Sequence, residues 1–175
     1  MKQSRLMILF LLMVIITIMA VWIKNDTKST NITVDDREIN YVFRSKGSNF
    51  ENYSETEIFR LLLEKNETVE YIKLGRTITI EFDYDFDTGE MTDYILNDDG
   101  TFKYDSKTTK TSEMSVDNGL YSFILDKNIA VYLSSNIEDY KDGAVIRGFK
   151  LTYPCEGEMK EYFFVINTDA EIEDN

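Results

Sequence analysis

The residues best suited to chemistry in this sequence are the aspartates of EFDYDFDTGE, residues 81–90. Asp83, Asp85 and Asp87 stand at alternate positions and are followed by a threonine and a glycine. Calcium ions prefer clustered carboxylate oxygens, usually on a loop that curls around the ion. The stretch therefore raises the hypothesis of a calcium site, which the spacing can test.

The stretch does not match a calcium-binding loop. Counted from Asp83, such a twelve-residue loop requires glycine at position six and a bidentate acid at position twelve. Thr88 and Tyr94 occupy these two positions instead. We therefore predict no metal ligands. A calcium-stabilised module remains the alternative, with Asp98 and Asp99 adding carboxylates from the next turn.

The sequence contains no histidine and one cysteine, Cys155. Without histidine, the most common general base and metal ligand is missing, which excludes histidine-based triads and zinc sites. One cysteine forms no intrachain disulfide, and we expect Cys155 to be half-buried near a turn, with a reactive thiol or an intermolecular disulfide as the alternative. Two carboxylates remain the only general acid-base pair, and no spacing identifies one. We predict no catalytic or cofactor-binding residue and no enzyme; a carboxylate-dependent hydrolase is an alternative.

The charge of the chain is strongly negative. It has 32 acidic and 19 basic residues, a net charge of -13, and every acidic residue lies beyond residue 23. Nucleic acids and anionic lipid headgroups are polyanions, so a field of this sign repels them, and no cluster of Lys or Arg offsets it. We predict no nucleic-acid partner and favour basic partners or cations.

An uncharged apolar run, LMILFLLMVIITIMAVWI, occupies residues 6–23. A helix of this length rises about 1.5 Å per residue and spans roughly 27 Å, close to the approximately 30 Å hydrocarbon core of a bilayer. The run therefore predicts a single transmembrane helix that anchors the chain in a membrane.

The charges around this run predict its orientation. Lys2 and Arg5 precede it and the acidic remainder follows it, so the positive-inside rule makes residues 1–5 a cytoplasmic stub and places the domain outside the cell membrane. A signal peptide cleaved near Ala20, which would release a secreted domain, is the alternative. Both interpretations export the domain.

A strict alternation begins at Thr77 and continues to Asp87. Its apolar members are Ile78, Ile80, Phe82, Tyr84 and Phe86. A period of two is typical of a strand with one face on a core and the other in water, which places the aspartates on the wet face. Gly89 then predicts a hairpin turn into the apolar run MTDYIL, residues 91–96.

Further short strands are predicted along the rest of the chain. They contain Phe102 and Tyr104; LYSFIL (residues 120–125) after an Asn118-Gly119 turn; Ile129, Val131 and Leu133; Phe149, Leu151 and Tyr153 before Pro154; and YFFVI (residues 162–166). Short strands separated by turns predict an all-β fold, an antiparallel β-sandwich of jelly-roll type.

The region 53–74 allows two interpretations. Ser54 and Glu57 have capping-box spacing, and Ile58 and Leu62 would share a helical face. The same region can instead pair as two strands through a turn. We predict strands, because every later segment has a strand pattern.

These patterns divide the chain beyond the apolar run into three parts. Residues 24–40 are polar and predict a flexible linker. Residues 41–167 predict one β-sandwich domain, without an internal repeat or boundary. Residues 168–175 predict an acidic, frayed tail.

The order of turn and core residues over about residues 57–153 follows a known pattern. A glycine-turned hairpin leads to a D-G-x-x-x-Y element and later to a G-x-Y-x-F strand, here Gly89; Asp99, Gly100 and Tyr104; and Gly119, Tyr121 and Phe123. In this order the chain resembles the GOLD domain, particularly its bacterial secreted relatives.

The resemblance implies a compact β-sandwich that acts as a protein-interaction module. GOLD domains are best known from the lumenal parts of secretory cargo receptors, and the resemblance brings no catalytic residues with it. This chain has an N-terminal anchor and no cysteine pair, unlike those receptors, so cargo reception is not transferred to it.

Together these patterns predict a membrane-tethered extracytoplasmic β-sandwich that binds another protein or a cell-surface component without catalysis. Such a module needs an exposed aromatic or apolar patch, because stable interfaces have a desolvated centre. Tyr41, Tyr53, Tyr140 and Tyr153 are the candidate contributors.

Overall fold

The computed structural model describes residues 30–65, 69–82, 86–105 and 108–171. Within these ranges the chain is mostly β, with two antiparallel sheets and one α-helix. The predicted all-β class is confirmed at this level. The predicted anchor, residues 6–23, lies outside the described ranges, and no helix inside them is long and apolar enough to cross a membrane.

The first sheet has four strands in the order β2-β1-β4-β7. They are β1 (Asn31–Val34), β2 (Arg37–Glu38), β4 (Thr77–Glu81) and β7 (Leu120–Ile124). The second sheet has five strands in the order β3-β9-β8-β5-β6. They are β3 (Tyr41–Arg44), β5 (Thr88–Leu96), β6 (Lys110–Ser115), β8 (Val145–Cys155) and β9 (Glu158–Thr168).

The two sheets bury a shared apolar core. Ile78 and Ile80 of β4 are fully buried in the same cluster as Phe149 of β8 and Phe164 of β9. The two phenylalanines are opposite each other across neighbouring strands, and their rings stack with centroids 4.8 Å apart. Aromatic cross-strand pairs of this kind stabilise a sheet by about 0.2–1 kcal/mol each. The fold is therefore sandwich-like, with its main core between the sheets.

A single helix, α1 (Glu55–Lys65), covers the other face of the five-stranded sheet. Ile58, Phe59 and Leu62 are buried there against Phe163 and Val165 of β9. The sheet is thus covered on one face by the first sheet and on part of the other by the helix.

The prediction of strands for residues 53–74 is wrong over α1. The main-chain N–H of Ser54 donates to a carboxylate oxygen of Glu57 at 2.7 Å, and the N–H of Glu57 donates to the Ser54 hydroxyl at 3.3 Å. This reciprocal capping box starts the helix. These hydrogen bonds also lower the pKa of Glu57 from its ordinary value. The apolar residues repeat every three to four positions, and the sheet supplies the surface that they need.

Two glycines let α1 approach its neighbours closely. A Cβ atom on Gly148 of β8 would lie 2.8 Å from Cε1 of Phe59. A Cβ atom on Gly100, whose φ is +82°, would lie 2.5 Å from the main-chain nitrogen of Arg60. Side chains at these positions would push the helix away from the sheet.

The prediction of a hairpin at Gly89 is wrong. The alternation from Thr77 does form β4, and Phe82 after it is buried, but β4 and β5 belong to different sheets. Gly89 lies inside β5, opposite Met114, and a Cβ atom there would lie 2.7 Å from the main-chain oxygen of Thr152. This glycine therefore permits close strand packing rather than a turn.

The Asn118-Gly119 turn forms, but it joins two sheets rather than two strands of one sheet. Both residues have positive φ values, +52° and +75°, as a type I′ turn requires. Asp117 and Leu120 pair across it as an isolated bridge. β6 on one side of the turn then pairs with β5, whereas β7 on the other side pairs with β4.

The predicted β8 and β9 strands are confirmed. They pair from Val145 with Thr168 to Cys155 with Glu158. Pro154 is exposed and does not end β8, which continues to Cys155. The predicted strand at Phe102 is reduced to an isolated bridge with Leu96.

Both predicted domain boundaries need correction. The prediction of a flexible linker is wrong for residues 31–39, because Ile32, Val34 and Ile39 are buried in the main core. At the other end, Thr168 and Ala170 are buried, so these residues of the predicted tail belong to the domain.

Candidate functional site

Large apolar side chains are exposed on two consecutive 3₁₀ helices between β7 and β8, Ile129–Leu133 and Ile137–Tyr140. Their exposed fractions reach 76% for Ile129, 60% for Leu133 and 77% for Ile137. We call these three residues, with Tyr132 and Tyr140, the exposed apolar surface. The prediction of a strand containing Ile129, Val131 and Leu133 is wrong, because these residues form the first 3₁₀ helix.

The first 3₁₀ helix is held by a cap and by its two smaller apolar residues. The Asn128 side-chain oxygen accepts the N–H of Ala130 at 3.0 Å. Ala130 and Val131 are buried in a small cluster with Ile95 of β5 and Val145 of β8. With these two residues turned inward, their larger neighbours remain in solvent.

The second 3₁₀ helix is held by a polar network. The Asn136 side chain caps it by accepting the N–H of Glu138 at 3.2 Å, and the Tyr140 hydroxyl donates to the Ser134 carbonyl at 2.9 Å. Asp139 accepts the Lys103 ammonium at 2.5 Å and also the Ser134 hydroxyl. Lys103 and then Ser134 lower the pKa of Asp139 from its ordinary value. The apolar residues are thus presented on a fixed scaffold.

Asp139→Asn should lower the free energy of unfolding at neutral pH by about 1–2 kcal/mol, because it removes the charge that accepts the Lys103 ammonium. The folded-state pKa of Asp139 lies below the unfolded value of about 3.9, so its stabilisation is present above that value and is lost as pH falls through the folded pKa. Urea unfolding at about pH 7 and about pH 3 should therefore show the difference shrinking in acid.

The exposed Asp142→Asn, which removes one carboxylate in the turn after the second 3₁₀ helix, is the control. We expect it to change stability by less than about 0.5 kcal/mol. An Asp139→Asn effect of the same size at both pH values would contradict a role for the ionised carboxylate.

A groove lies between the first 3₁₀ helix and the start of β6. Its volume is about 590 Å³. The residues that line it are Thr108, Thr109 and Lys110 on one side and Asp126, Lys127, Asn128, Ile129, Ala130 and Leu133 on the other. Ile129 and Leu133 make the exposed apolar surface continuous with this groove.

A buried ion pair fixes the loop that forms one wall of the groove. Arg147 of β8 and Asp93 of β5 are both 3% exposed or less, and the guanidinium donates to the two carboxylate oxygens at 3.0 and 2.5 Å. Its remaining Nη1 donates to the main-chain oxygen of Asp126 at 2.6 Å. Asp126 lines the groove, so the pair connects the groove to the five-stranded sheet.

The described part of the chain does not bring together the carboxylates of the alternative calcium hypothesis. Asp83 and Asp85 lie outside it. Asp87 and Asp98 stand beyond opposite ends of the nine-residue β5, which is about 30 Å long at the rise of an extended strand. Thr101 donates to the Asp99 carboxylate through its N–H and hydroxyl, which lowers the pKa of Asp99. No group of three or more potential metal-ligating residues occurs among the described residues.

The four candidate tyrosines are separated in the structure. Tyr41 is half-buried and donates its hydroxyl to the Thr30 carbonyl, and Tyr153 is fully buried in the main core. Tyr53 is 41% exposed and lies before α1, whereas Tyr140, 37% exposed, belongs to the exposed apolar surface. Cys155 is half-buried at the end of β8, as expected.

Sequence reasoning missed Ile129, Leu133 and Ile137 as surface residues, because it assigned the first two to a strand and the third to no strand or helix. Local signals were present. Asn128 and Asn136 each precede an apolar residue at a position where asparagine caps a helix, and Glu138 follows at the acidic first turn.

Comparisons with protein-family models, with curated proteins and with solved structures found no match to this chain.

Proposed function

We propose that this chain is a membrane-tethered, extracytoplasmic β-sandwich module that binds another protein or a cell-surface component without catalysis. The observation that carries the proposal is the exposed apolar surface. Exposing several large apolar side chains on one short segment costs hydration free energy, and such patches typically mark interaction sites. Because capped 3₁₀ helices hold the backbone of this segment in place, little backbone conformational freedom is lost on binding.

The proposed location rests on the sequence before the domain. The uncharged run of residues 6–23 is long enough to span a bilayer, and Lys2 and Arg5 on its N-terminal side favour a cytoplasmic N-terminus. Secretion after cleavage near Ala20 is the alternative, and it leaves the same domain outside the cell.

A GOLD-like arrangement of the sandwich is part of the proposal and has partial support. Gly100 and Gly119 occupy turns with positive φ, and Tyr121 and Phe123 pack against the main core. In the GOLD pattern a glycine turns a hairpin at this position, whereas Gly89 lies within a strand. This part of the pattern therefore does not support the relationship.

The interaction role can be tested by photo-crosslinking the full chain in intact cells of its source, followed by mass spectrometry. Ile129→Ser with Ile137→Ser should abolish capture of the partner while the domain stays folded, because both side chains are exposed.

The matched control is Leu120→Ser with Met159→Ser, which removes two exposed apolar side chains on other parts of the domain. Capture should persist in this control. Equal capture by both double variants, or no reproducible partner with the unaltered chain, would rule out an interaction role for the exposed apolar surface.

A further inference from the structure

We propose that the groove beside the first 3₁₀ helix binds an extended peptide segment of a partner protein in which a large aliphatic side chain stands next to a carboxylate. This inference rests on the proposed interaction function and specifies the chemistry that the partner presents. Four features of the groove carry it: its apolar wall, its charges, a buried amide and a neighbouring sheet edge.

The groove accommodates an aliphatic side chain. Its volume of about 590 Å³ lies within the range of about 300–1,000 Å³ that is usual for ligand-binding clefts. Ile129 and Leu133, which line it, are mostly exposed. An aliphatic side chain placed here removes apolar surface on both partners from water.

Two lysines give the groove a positive charge in an otherwise acidic protein. Lys110 and Lys127 line opposite sides, and neither forms an ion pair within the described residues. Nine other basic side chains of the described chain do form ion pairs with carboxylates. These are Arg37, Arg44, Lys46, Arg60, Arg76, Lys103, Lys141, Arg147 and Lys150.

One acidic residue, Asp126, also lines the groove, and its carboxylate accepts the main-chain N–H of Lys127 at 2.8 Å. The Lys127 ammonium lies 6.0 Å from the ring centre of Tyr132. With a net charge of -13, the chain as a whole repels anions, so the two lysines without carboxylate partners provide a local site for one. A carboxylate on the partner can pair with the ammonium groups of these two lysines.

A buried amide adds a hydrogen-bond donor. Asn128 is 3% exposed and lines the groove, and its oxygen is used to cap the 3₁₀ helix. Its Nδ2 group has no hydrogen-bond partner in the part of the chain that the structure describes. An unsatisfied buried donor is unfavourable, so a peptide carbonyl that pairs with this nitrogen when the Asn128 side chain turns toward the groove removes that cost.

The other side of the groove leads into the edge of a sheet. Thr108–Lys110 continue into β6, which is the last strand of the five-stranded sheet. Edge strands expose main-chain donors and acceptors that an extended peptide can pair with. A peptide, which offers side chains and a main chain together, therefore fits these features better than a lipid with a carboxylate head.

The test uses the full chain in nanodiscs, with phage-displayed random peptides of about ten residues, which span roughly 33 Å when extended. Enriched peptides should place Leu, Ile or Val beside Asp or Glu. Their affinity, measured by fluorescence anisotropy, should fall at least about tenfold in Lys110→Glu with Lys127→Glu. The charge-matched control, Lys46→Glu with Lys65→Glu, changes two exposed lysines elsewhere and should stay within about twofold.

Four results of the peptide-binding experiment would overturn the inference. They are no enrichment, enrichment of basic peptides, equal binding by both double variants, and full displacement of the peptide by dodecanoate, which would indicate a fatty-acid site. Self-association of the chain that the Lys110→Glu and Lys127→Glu changes abolish would also overturn it in favour of a second copy. If cellular capture still depends on Ile129 and Ile137 in any of these cases, the groove inference fails while the interaction function stands.

Discussion

Arg147→Met is expected to lower the free energy of unfolding by about 3–5 kcal/mol, because it leaves Asp93 as an uncompensated buried charge. Both residues are almost fully buried, and the guanidinium is bidentate on the carboxylate. The substitution also removes the donor to the Asp126 carbonyl, so the groove wall should loosen. Urea unfolding measures the first effect, and hydrogen exchange at residues 126–128 measures the second.

The double variant Asp93→Leu with Arg147→Met distinguishes the cost of an unpaired buried charge from the cost of altered packing. Replacing both members of a buried ion pair by apolar residues is often neutral or stabilising, so the double variant should recover most of the lost stability. Arg37→Met, which breaks an exposed pair with Glu70, should cost less than about 1 kcal/mol. If the double variant were as unstable as Arg147→Met alone, the cost would come from packing and not from an unpaired charge.

Gly100→Ala is expected to lower the free energy of unfolding by about 3–5 kcal/mol. The left-handed backbone at Gly100 accounts for about 1–2 kcal/mol of this. The rest arises because the new Cβ atom would stand 2.5 Å from the Arg60 nitrogen, so α1 must shift on the sheet. Urea unfolding followed by circular dichroism gives the total, and near-ultraviolet signals report the Phe59 and Tyr94 environments, whose rings contact each other.

Gly47→Ala is the matched control for this prediction. Gly47 has a φ of +77°, close to that of Gly100, but a Cβ atom there would meet nothing within 4 Å. It should therefore show only the backbone cost of about 1–2 kcal/mol. Equal losses in the two variants would mean that contact between Gly100 and α1 contributes nothing to stability.

The strands with one buried and one exposed face were predictable from sequence. Ile78, Ile80 and Phe82 point into the core, as their spacing indicates, because a strand that is half in water must alternate. Spacing defines the face of a strand but not its partner. The hairpin at Gly89 was wrong for this reason, since β4 pairs with β1 and β7, both distant in sequence.

Short apolar runs were the main source of error. The runs at α1 and at residues 129–133 have a composition that either a strand or a helix can accept, and tertiary packing decides between them. At α1 the sheet residues Phe163 and Val165 favour a helix. At the first 3₁₀ helix, burial of Ala130 and Val131 leaves Ile129 exposed. In both segments, α1 and the first 3₁₀ helix, only the capping residues indicated locally that a helix begins, and the structure agrees with them.

The groove could not be predicted from sequence at all. Lys110 and Asn128 are separated in sequence by the rest of β6, a sheet-changing turn and the whole of β7, and only the fold brings them to one cleft. The Arg147–Asp93 pair could not be predicted either. A charged residue within an apolar strand pattern indicates a buried charge, but it does not identify the residue that pairs with it.

If residues 6–23 anchor the chain as proposed, the early start of β1 limits the distance between the domain and the membrane. β1 begins at Asn31, and the proposed anchor ends at residue 23, which leaves the seven residues 24–30 between them. Even fully extended, seven residues reach only about 25 Å. In the anchored form the domain therefore lies close to the membrane, because its linker is short. A partner would have to extend to within a few tens of ångströms of the bilayer surface to contact it.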